Sequence, residues 1–334
     1  MKQVAEKTVL LYLTSGGGQL AEKIVHALPG AEAISCRGRL RQCMERCWQE
    51  FDHLICIMAT GIVVRMIGPL LEDKRQDPSV VVADELGRFV ISLLSGHIGG
   101  GNALASRVAA ITGGQAVITT ASDVLGHTAL DLWAQGLGLS VADKSAFTRV
   151  MGRLVNRGKI TVYSVYPLPP LPADICRIEE GQADIVITCS TKKDISGTVL
   201  HPKTLVAGIG CNRNTPAAEI EQALTEACAS HSLALASIAG LASIDLKSDE
   251  VGLLAFAEQH GLPIDFFHRD QLNGVEGVST SAAVLKATGA KGVAEPAAVL
   301  AAGGGRLLVE KMKWKNVTVA IAEKENPWKE HLCE

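Results

Sequence analysis

The sequence has few aromatic residues, no strong charge of either sign and no long apolar run. Only 4% of the 334 residues are aromatic, and the formal net charge is −3. A chain so near to neutral does not fit a general nucleic-acid binder. No apolar run approaches the roughly 20 residues of a membrane span. No N-terminal stretch has the charged start, apolar middle and small-residue cleavage site of a signal peptide. We therefore expect a cytoplasmic protein with no membrane or nucleic-acid partner.

Cysteine is present, but not in the spacing of a disulfide framework or a zinc motif. The nine cysteines are odd in number and irregularly placed, which is typical of reduced thiols. Cys36, Cys43 and Cys47 lie close together along the chain with Cys56 nearby, yet no C-x-x-C pair occurs. The sequence favours ordinary packing cysteines there over the alternative of a structural zinc site.

What the chain has in abundance is Ala, Val, Ile and Leu, with 47% hydrophobic residues overall. Short β-rich runs alternate with helical patterns, which predicts an α/β fold. We expect a mostly parallel, helix-covered sheet in an N-terminal domain, a smaller middle segment, and a second α/β domain at the C-terminus. The predicted boundaries are 1–139, 140–203 and 204–334. The predicted strands of the first domain are 8–14, 31–35, 53–58, 80–83, 89–94 and 116–119, and its helices are at about 19–28, 40–50, 61–71, 102–112 and 128–138.

One spacing departs from this alternation. Only Asp84 to Arg88 separate the strands 80–83 and 89–94, which is the spacing of a hairpin and predicts that one of the two runs antiparallel. Asp84 and Glu85 would lie at the hairpin tip, roughly 20 Å from His97 at the other end of the second strand. The sequence therefore argues against an Asp84–His97 dyad.

Polar and glycine-rich turns follow the strands of the first domain. Because ligands bind outside the carboxyl ends of strands in open α/β sheets, we expect these turns to share one edge and to form a cleft there. The five turns are Ser15–Gly18, Cys36–Arg39, Ala59–Gly61, Ser95–His97 and Thr120–Asp123.

The fourth turn runs into three glycines, Gly99 to Gly101, ahead of Asn102 and a helix rich in small residues. We expect Asn102 to be the N-cap and the free N–H groups of the helix start to bind an anion. His97 precedes this turn. Two roles for its imidazole stay open: bracing the turn, or contacting a ligand as an acid or base.

The first glycine turn offers an alternative function. Gly16 to Ala21 fit G-x-G-x-x-A after a strand, a weak dinucleotide fingerprint. The acidic ribose partner expected at the end of the second strand is missing, and Arg37 and Arg39 stand there instead. A nicotinamide-dependent dehydrogenase is kept only as a remote alternative.

The third domain has its own turn motifs. Gly208 to Pro216 end a strand and open a helix, with Thr215 expected as N-cap and Pro216 at the first helical position. Arg213 is suited to hold a carboxylate, whereas Cys211 fits packing better than nucleophilic catalysis. Ser279 or Thr280 is the expected cap of the following helix, and capping alone is favoured over a ligand contact as the reason for those hydroxyls. The acids Asp245, Asp249 and Glu250 cluster at a helix start, where the macrodipole alone favours them.

These residues also carry a resemblance. LLSGHIGGGNALA, with ATGIVVRMIGPLL and VVVADELGRFVISLL before it, resembles the N-terminal domain of the cobalt-precorrin 5A hydrolase family, known as CbiG. GIGCNRNTP, ASIDLKSDEVGL, the GVST turn, GVAEPAAVLAAG and NVTVAIAE resemble its C-terminal domain, which also occurs alone in the related protein CobE. The resemblance spans nearly the whole chain in order. Gly101 replaces a common alanine and Asn214 a common glycine, which are small departures.

The resemblance implies a step of anaerobic cobalamin biosynthesis. The family opens the δ-lactone of a cobalt-bearing contracted tetrapyrrole, cobalt-precorrin 5A, and releases a two-carbon fragment as acetaldehyde. H-E-x-x-H, G-x-S-x-G and P-loop motifs are missing from the sequence. This fits a reaction for which the resemblance implies no cofactor of the protein's own, since the substrate carries the cobalt. A non-catalytic carrier, passing the intermediate to a neighbouring methyltransferase, is the main alternative. The oligomeric state stays open, a homodimer included.

Candidate site residues follow from the turns and the resemblance together. His97 is the predicted base, with amides near Gly99 to Asn102 serving the oxyanion, and Glu250 and Glu276 are alternative catalytic groups. The residues predicted to bind the substrate and its carboxylates are Gly16, Gly17, Arg37, Thr60, Gly61, Arg65, Ser95, Gly96, Gly99, Gly100, Gly101, Asn102, Gly210, Cys211, Arg213, Thr215, Ser279 and Ser281.

Overall fold

The computed structural model describes residues 6–73, 76–192 and 196–328. Contacts divide the chain into two compact units, unit 1 with residues 1–133 and unit 2 with residues 134–334. In the described residues, unit 1 contains a six-stranded sheet and unit 2 contains two five-stranded sheets. Helices accompany every sheet, which confirms the α/β class. The predicted domain boundaries stay predictions.

The sheet of unit 1 is built from the six predicted strands. They are β1 (Thr8–Tyr12), β2 (Ala31–Ser35), β3 (His53–Ile57), β4 (Ser79–Ala83), β5 (Phe89–Leu94) and β6 (Gln115–Val117). Their order is β2-β1-β3-β4-β5-β6. Strands β3 and β4 are buried along their whole length, as expected of apolar strands covered on both faces.

Strand direction divides this sheet. Strands β1 to β4 are mutually parallel, β5 is antiparallel to β4, and β6 is parallel to β5. The predicted hairpin is therefore confirmed. Strands β5 and β6 end where β1 to β4 begin, an edge we call the amino edge of unit 1. The opposite edge, where β1 to β4 end, is its carboxyl edge.

This reversal makes the prediction of one shared edge wrong. The turns after β1, β2 and β3 lie at the carboxyl edge, whereas Ser95–His97 and Thr120–Asp123 lie at the amino edge. Five residues of strand, roughly 16 Å, separate the two edges. The five turns therefore do not form a single cleft.

Helices cover both faces of the sheet of unit 1. They are α1 (Ser15–Ala27), α2 (Leu40–Glu50), α3 (Thr60–Ile67) and α4 (Gly101–Thr112). Two short helices, α5 (Ala121–Leu125) and α6 (Leu130–Gly136), follow β6 along the chain. Leu20 of α1 and Val108 of α4 belong to the apolar cluster of one face, and Met44 of α2 and Val63 of α3 to that of the other. The short helix α5 lies in a segment predicted only as a turn.

The cysteine group is part of this core. The thiols of Cys36, Cys43, Cys47 and Cys56 are buried and pack in the same apolar cluster as Met44. Burial raises the pKa of the Cys36 thiol to about 12. Across the part of the chain that the structure describes, no three His, Cys, Asp or Glu side chains are grouped to hold a metal ion. Cys333 lies outside the described residues.

Unit 2 begins with a small sheet, here called the middle sheet, packed by helix α7 (Lys144–Arg157). Its strands are β7 (Ser140–Val141), β8 (Ile160–Ser164), β9 (Ile175–Arg177), β10 (Ile185–Ile187) and β11 (Thr198–His201). The order is β7-β11-β10-β8-β9, with β8 to β11 mutually parallel and β7 antiparallel to β11. Strands β7 and β9, which have two and three residues, were not predicted.

The C-terminal sheet of unit 2 has the order β14-β13-β12-β16-β15. The strands are β12 (Leu205–Cys211), β13 (Ile238–Ile244), β14 (Ile264–Phe267), β15 (Arg306–Lys313) and β16 (Val317–Glu323). Strands β12 to β14 are parallel, and β15 and β16 form an antiparallel hairpin. The Trp314 N–H donates to the Val317 carbonyl across the tight turn at Lys315-Asn316.

Five helices accompany this sheet in the described residues: α8 (Ala217–Ser230), α9 (Val251–His260), α10 (Arg269–Asn273), α11 (Ala282–Thr288) and α12 (Ala294–Ala301). Helix α10 was not predicted. Helix α12 approaches β12 so closely that a Cβ on Gly208 would collide with the Ala294 carbonyl oxygen. Close packing of α12 on β12 therefore requires glycine at position 208, the first glycine of the GIG stretch.

None of the described helices combines the length and the apolar character needed to cross a membrane.

Candidate functional site

The His97 imidazole lies between two carboxylates at the amino edge of unit 1. Its Nε2 atom is 2.7 Å from Asp123 Oδ2, and its Nδ1 atom is 3.5 Å from Asp131 Oδ1. The side chains of His97 and Asp131 are 13% and 15% exposed, and that of Asp123 is 38% exposed. Such a histidine has its ring orientation fixed while a side of the site stays open to solvent.

Polar neighbours hold this group in place. The Asn102 Nδ2 group donates to Asp123 Oδ2 at 2.9 Å and to Thr120 Oγ1 at 3.2 Å. Ser122 Oγ lies 3.2 Å from His97 Nε2. These contacts use the start of α4 and the turn after β6, which the reversed strands bring to one edge. The arrangement can exchange a proton at His97 and hold the resulting charge.

Close packing of the backbone explains the glycine triplet, Gly99 to Gly101. The N–H groups of Gly100, Gly101 and Asn102 donate to the carbonyls of His97, Ser95 and Gly96. Gly100, with φ of 75°, is the N-cap of α4. A Cβ on Gly99 would meet the Ser95 carbonyl oxygen at 2.7 Å. The chain therefore turns back upon itself here, and only glycine fits.

Two predictions about this turn are wrong. Asn102 is not the N-cap, because α4 already starts at Gly101, and its side chain serves Asp123 instead. The amides of Gly100, Gly101 and Asn102 are not free for an oxyanion, because neighbouring carbonyls accept all three N–H groups. The argument against an Asp84–His97 dyad holds, since Asp84 accepts the N–H groups of Leu86 and Phe89 within the hairpin turn.

At the carboxyl edge of unit 1, a carboxylate from the chain itself sits over the glycine turn. Thr14 caps α1 by accepting the Gly17 N–H, and its hydroxyl donates to Glu85 Oε1 at 2.6 Å. A Cβ on Gly16 would collide with the same Glu85 oxygen. The space in which the dinucleotide alternative would place a pyrophosphate is thus taken by Glu85.

The other predicted residues of this edge are exposed or half-buried, but they do not approach His97. Arg65 donates to the Gly61 carbonyl of its own helix at 2.9 Å. Thr60 is half-buried at the start of α3, and Arg37 is exposed after β2. These residues stand across the sheet from the His97 group.

Exposed apolar side chains flank the His97 group along the chain. Ile98 is 47% exposed, Val124 66%, Leu125 55% and Leu132 41%. Each adjoins, or lies within two residues of, His97, Asp123 or Asp131 in sequence. A ligand with an apolar body and polar substituents suits such a surface.

In unit 2, Arg213 is fixed at the edge where β12, β13 and β14 end. Its Nη1 donates to Asp249 Oδ1 at 2.5 Å and its Nη2 to the Leu246 carbonyl at 3.0 Å. The hydrogen bond from Arg213 lowers the pKa of the Asp249 carboxyl. The Arg213 side chain stays 56% exposed, so its remaining N–H groups can receive an anion.

The predicted catalytic alternatives of unit 2 differ in access. Glu250 is 2% exposed and accepts the Asn214 N–H at 2.6 Å and the Lys247 Nζ at 3.2 Å. Its carboxylate therefore braces the turn that carries Arg213. Glu276 is exposed in the turn after α10.

Cys211 and Thr215 serve local structure. Burial raises the pKa of the Cys211 thiol, which disfavours a nucleophilic thiolate and fits the packing role. The expectation that Thr215 caps α8 is wrong. Its hydroxyl donates to the Asn212 carbonyl, and Pro216 occupies the N-cap position. Gly210 lies in β12 beside Thr318 and Val293.

The GVST turn meets a lysine that the sequence did not reveal. Lys311 Nζ donates to Ser279 Oγ at 2.8 Å, and the buried Glu295 accepts the N–H groups of Ser279 and Lys311. Burial raises the pKa of Glu295, but these hydrogen bonds outweigh burial and leave it below its usual value. The expected cap at Ser279 or Thr280 is wrong, because Ser281 caps α11.

Sequence reasoning missed Asp123, Asp131, Ser122 and Lys311 as site residues. A usable signal existed for Ser122 and Asp123, since both belong to the segment after β6 that the sequence predicts as a polar turn. Asp131 and Lys311 carry no such signal, because each lies inside an element and reaches its partner only through the fold.

Three family models match the chain in order. The Cobalamin synthesis G N-terminal model matches residues 42–123, the Cobalamin biosynthesis central region 128–202, and the Cobalamin synthesis G C-terminus 205–322.

Curated relatives match across most of the chain. A cobalt-precorrin-5A hydrolase of Priestia megaterium is 38% identical over 306 residues, which cover 85% of this chain and 82% of that one. Its counterpart in Salmonella typhimurium is 33% identical and covers 95% and 97%. A crystal structure of CobE, a protein of the cobalamin biosynthetic pathway, is 38% identical over 36% of this chain and 89% of that one, with a TM-score of 0.34. By the identity and coverage of the two hydrolases, the chain belongs to the CbiG family of cobalt-precorrin-5A hydrolases.

Proposed function

We propose that this protein hydrolyses the δ-lactone of cobalt-precorrin 5A and releases the two-carbon fragment as acetaldehyde, giving cobalt-precorrin 5B. Membership of the CbiG family supports the reaction. The observation that carries the proposal at the level of residues is the His97 imidazole between Asp123 and Asp131. Lactone opening needs a base to activate water, and a histidine oriented by a carboxylate is the usual protein base.

In the proposed first step, Nε2–H of His97 donates to Asp123, which leaves the Nδ1 lone pair facing the side of Asp131. Nδ1 takes a proton from water as the water oxygen attacks the lactone carbonyl. The imidazolium formed then has a carboxylate beside each N–H. The amides of Gly100, Gly101 and Asn102 cannot serve the tetrahedral oxyanion, because neighbouring carbonyls accept their N–H groups. Collapse of the intermediate breaks the ring C–O bond, and the proton on His97 passes to the leaving alkoxide.

In the second step, the released hydroxyl loses its proton and the bond to the macrocycle breaks. The electron pair of that C–C bond goes to the conjugated cobalt macrocycle, which is subsequently protonated, and the fragment leaves as acetaldehyde. The reaction needs no Schiff-base lysine. His97, neutral again after the first step, can accept this second proton.

Two features support binding of a large carboxylate-bearing macrocycle. Arg213, and Lys311 with Ser279, provide donors for acetate and propionate side chains. Exposed apolar residues accompany each site, with Val251 76% exposed beside Glu250 in unit 2. The cobalt belongs to the substrate, and we propose no cofactor of the protein's own. The cytoplasmic location, contacts with pathway methyltransferases and a homodimer stay predictions.

The decisive experiment measures acetaldehyde release from anaerobically prepared cobalt-precorrin 5A with and without the purified protein. Protein-dependent release establishes the hydrolase. Substrate that is bound but unchanged overturns it and favours the carrier alternative.

A further inference from the structure

A groove of about 610 Å³ lies in unit 2 and contains none of the residues discussed as candidate site. Val165 and Tyr166 line it after β8, and Cys189 after β10. Arg306 at the start of β15 and Lys324 after β16 close it from the C-terminal sheet. Its volume falls within the range of about 300–1,000 Å³ that is common for ligand pockets.

The groove stands at the opposite edge of the C-terminal sheet from Arg213. Glu323, which also lines the groove, pairs with Leu205 at the first residue of β12. Arg213 follows Cys211, the last residue of β12. The seven residues of this strand, roughly 23 Å, separate the groove from the Arg213 edge.

The topology of the middle sheet makes this a favoured place for a ligand. Strand β8 is paired with β9 on one side and β10 on the other. The chain leaves β8 towards β9, but leaves β10 in the opposite direction towards β11. Loops that diverge in this way open a crevice at the carboxyl ends of parallel strands, which is where open sheets bind ligands. The groove begins at the ends of these two strands.

The charges of the groove favour an anion. Three cations, Arg306, Lys324 and Lys192, line the groove together with two carboxylates, Glu323 and Glu325. Glu323 is already satisfied by the Tyr166 hydroxyl at 2.7 Å, with Arg306 at 3.4 Å. No described carboxylate forms an ion pair with Lys324, which is half-buried. Its ammonium group is therefore available to a ligand carboxylate.

Apolar surface adjoins these cations. Val165 is 55% exposed, and Leu233 and Leu308 also line the groove. We propose that this groove is a second ligand site, separate from the candidate catalytic residues, that binds an organic polycarboxylate with an apolar body. The lysine and arginine side chains hold the carboxylates, and the apolar body rests on Val165 and the leucines.

Equilibrium dialysis of the full chain tests this, with uroporphyrin as a polycarboxylate with an apolar body and citrate as one without. We compare the natural sequence with Lys324→Glu and with the matched control Lys159→Glu, an exposed lysine just before β8, at the opposite end of that strand from the groove. Charge reversal at Lys324 is expected to weaken uroporphyrin binding at the groove by about tenfold or more, while Lys159→Glu leaves uroporphyrin binding unchanged.

Equal isotherms for all three proteins, or equal losses in both variants, overturn the proposal. If citrate binds as tightly as uroporphyrin, the claim that the groove recognises an apolar body is overturned. Acetaldehyde release separates this site from the proposed function: Lys324→Glu is expected to turn over cobalt-precorrin 5A normally. A parallel loss of turnover would show that the groove belongs to the catalytic site.

Discussion

The N-terminal sheet of unit 1 and the C-terminal sheet of unit 2 both mix parallel and antiparallel strands, but they distribute their candidate residues differently. In unit 2, the antiparallel hairpin β15–β16 brings Lys311 to the edge where β12 to β14 end, so Arg213 and the GVST turn share that edge. In unit 1, the hairpin β4–β5 reverses two strands and sends His97 to the amino edge. The direction of each strand therefore decides at which edge of the sheet the turn that follows it lies.

The most direct way to break this comparison is to remove His97, the centre of the amino edge. His97→Gln is expected to lower acetaldehyde release about 1,000-fold with substrate binding retained, because general-base catalysis is worth about 100- to 10,000-fold. His26→Gln, an exposed histidine on α1, is the control. Near-normal turnover of His97→Gln would move the base to unit 2.

The second test concerns the carboxylate that orients His97. Asp123→Asn keeps the shape but removes the charge beside Nε2, and we expect turnover to fall about 100-fold with little change in KM. The pH profile of kcat is the decisive readout. A profile of unchanged shape would assign Asp123 a merely structural role. Asp131→Asn, with its longer contact of 3.5 Å, is expected to have the smaller effect.

The third test measures the unfolding free energy and concerns Glu295 of unit 2. Glu295→Gln weakens acceptance of the Ser279 and Lys311 N–H groups and is expected to cost about 2 kcal/mol of unfolding free energy. The pKa of Glu295 is lower in the folded protein than the usual 4.5 of a glutamate. Its stabilising effect is therefore present above that value and lost as the pH falls through the folded-state pKa.

Denaturant unfolding at several pH values checks this. The difference between natural protein and Glu295→Gln should be largest near neutral pH and shrink in acid. Glu258→Gln, an exposed position on α9, controls for loss of a surface charge. A difference that does not depend on pH would contradict the assigned cause.

The smallest expected effect is on KM, and its test compares one arginine from each unit. Arg213→Ala is expected to raise the KM for cobalt-precorrin 5A about tenfold, because one charge-assisted contact to a carboxylate is lost. Arg37→Ala, across the sheet from His97, is expected to change KM less than about twofold. Equal effects of the two substitutions would show that the carboxyl edge of unit 1 also receives the substrate.

Local signals in the sequence were enough for most of the fold. Alternating apolar runs located all six strands of unit 1, and the five-residue gap from Asp84 to Arg88 identified the hairpin. The consequence of that hairpin was not followed through. Once β5 is reversed, β6 is reversed too, because helix α4 links the two as a parallel crossover. Short elements such as β7 and α10 depend on tertiary contacts, which periodicity does not record.

The site was predictable only in part, because its key contacts are long-range. His97 was visible beside its glycine turn, but Asp131 reaches it from a helix with no motif of its own. The glycine triplet was seen and its cause misjudged. Three glycines before a helix look the same in sequence whether they bind an anion or allow the chain to pack against Ser95.

The position of Glu85 over the first glycine turn has a consequence for selectivity. A phosphate approaching the start of α1 would meet the exposed carboxylate of Glu85, which accepts a hydrogen bond from the Thr14 hydroxyl, and would have to displace it. The glycine spacing of this turn is suited to nucleotides, but repulsion between like charges disfavours their binding there. Glu85 thus occupies the place that a nucleotide phosphate would take. We therefore expect nucleotides neither to raise the melting temperature of the protein nor to slow its reaction.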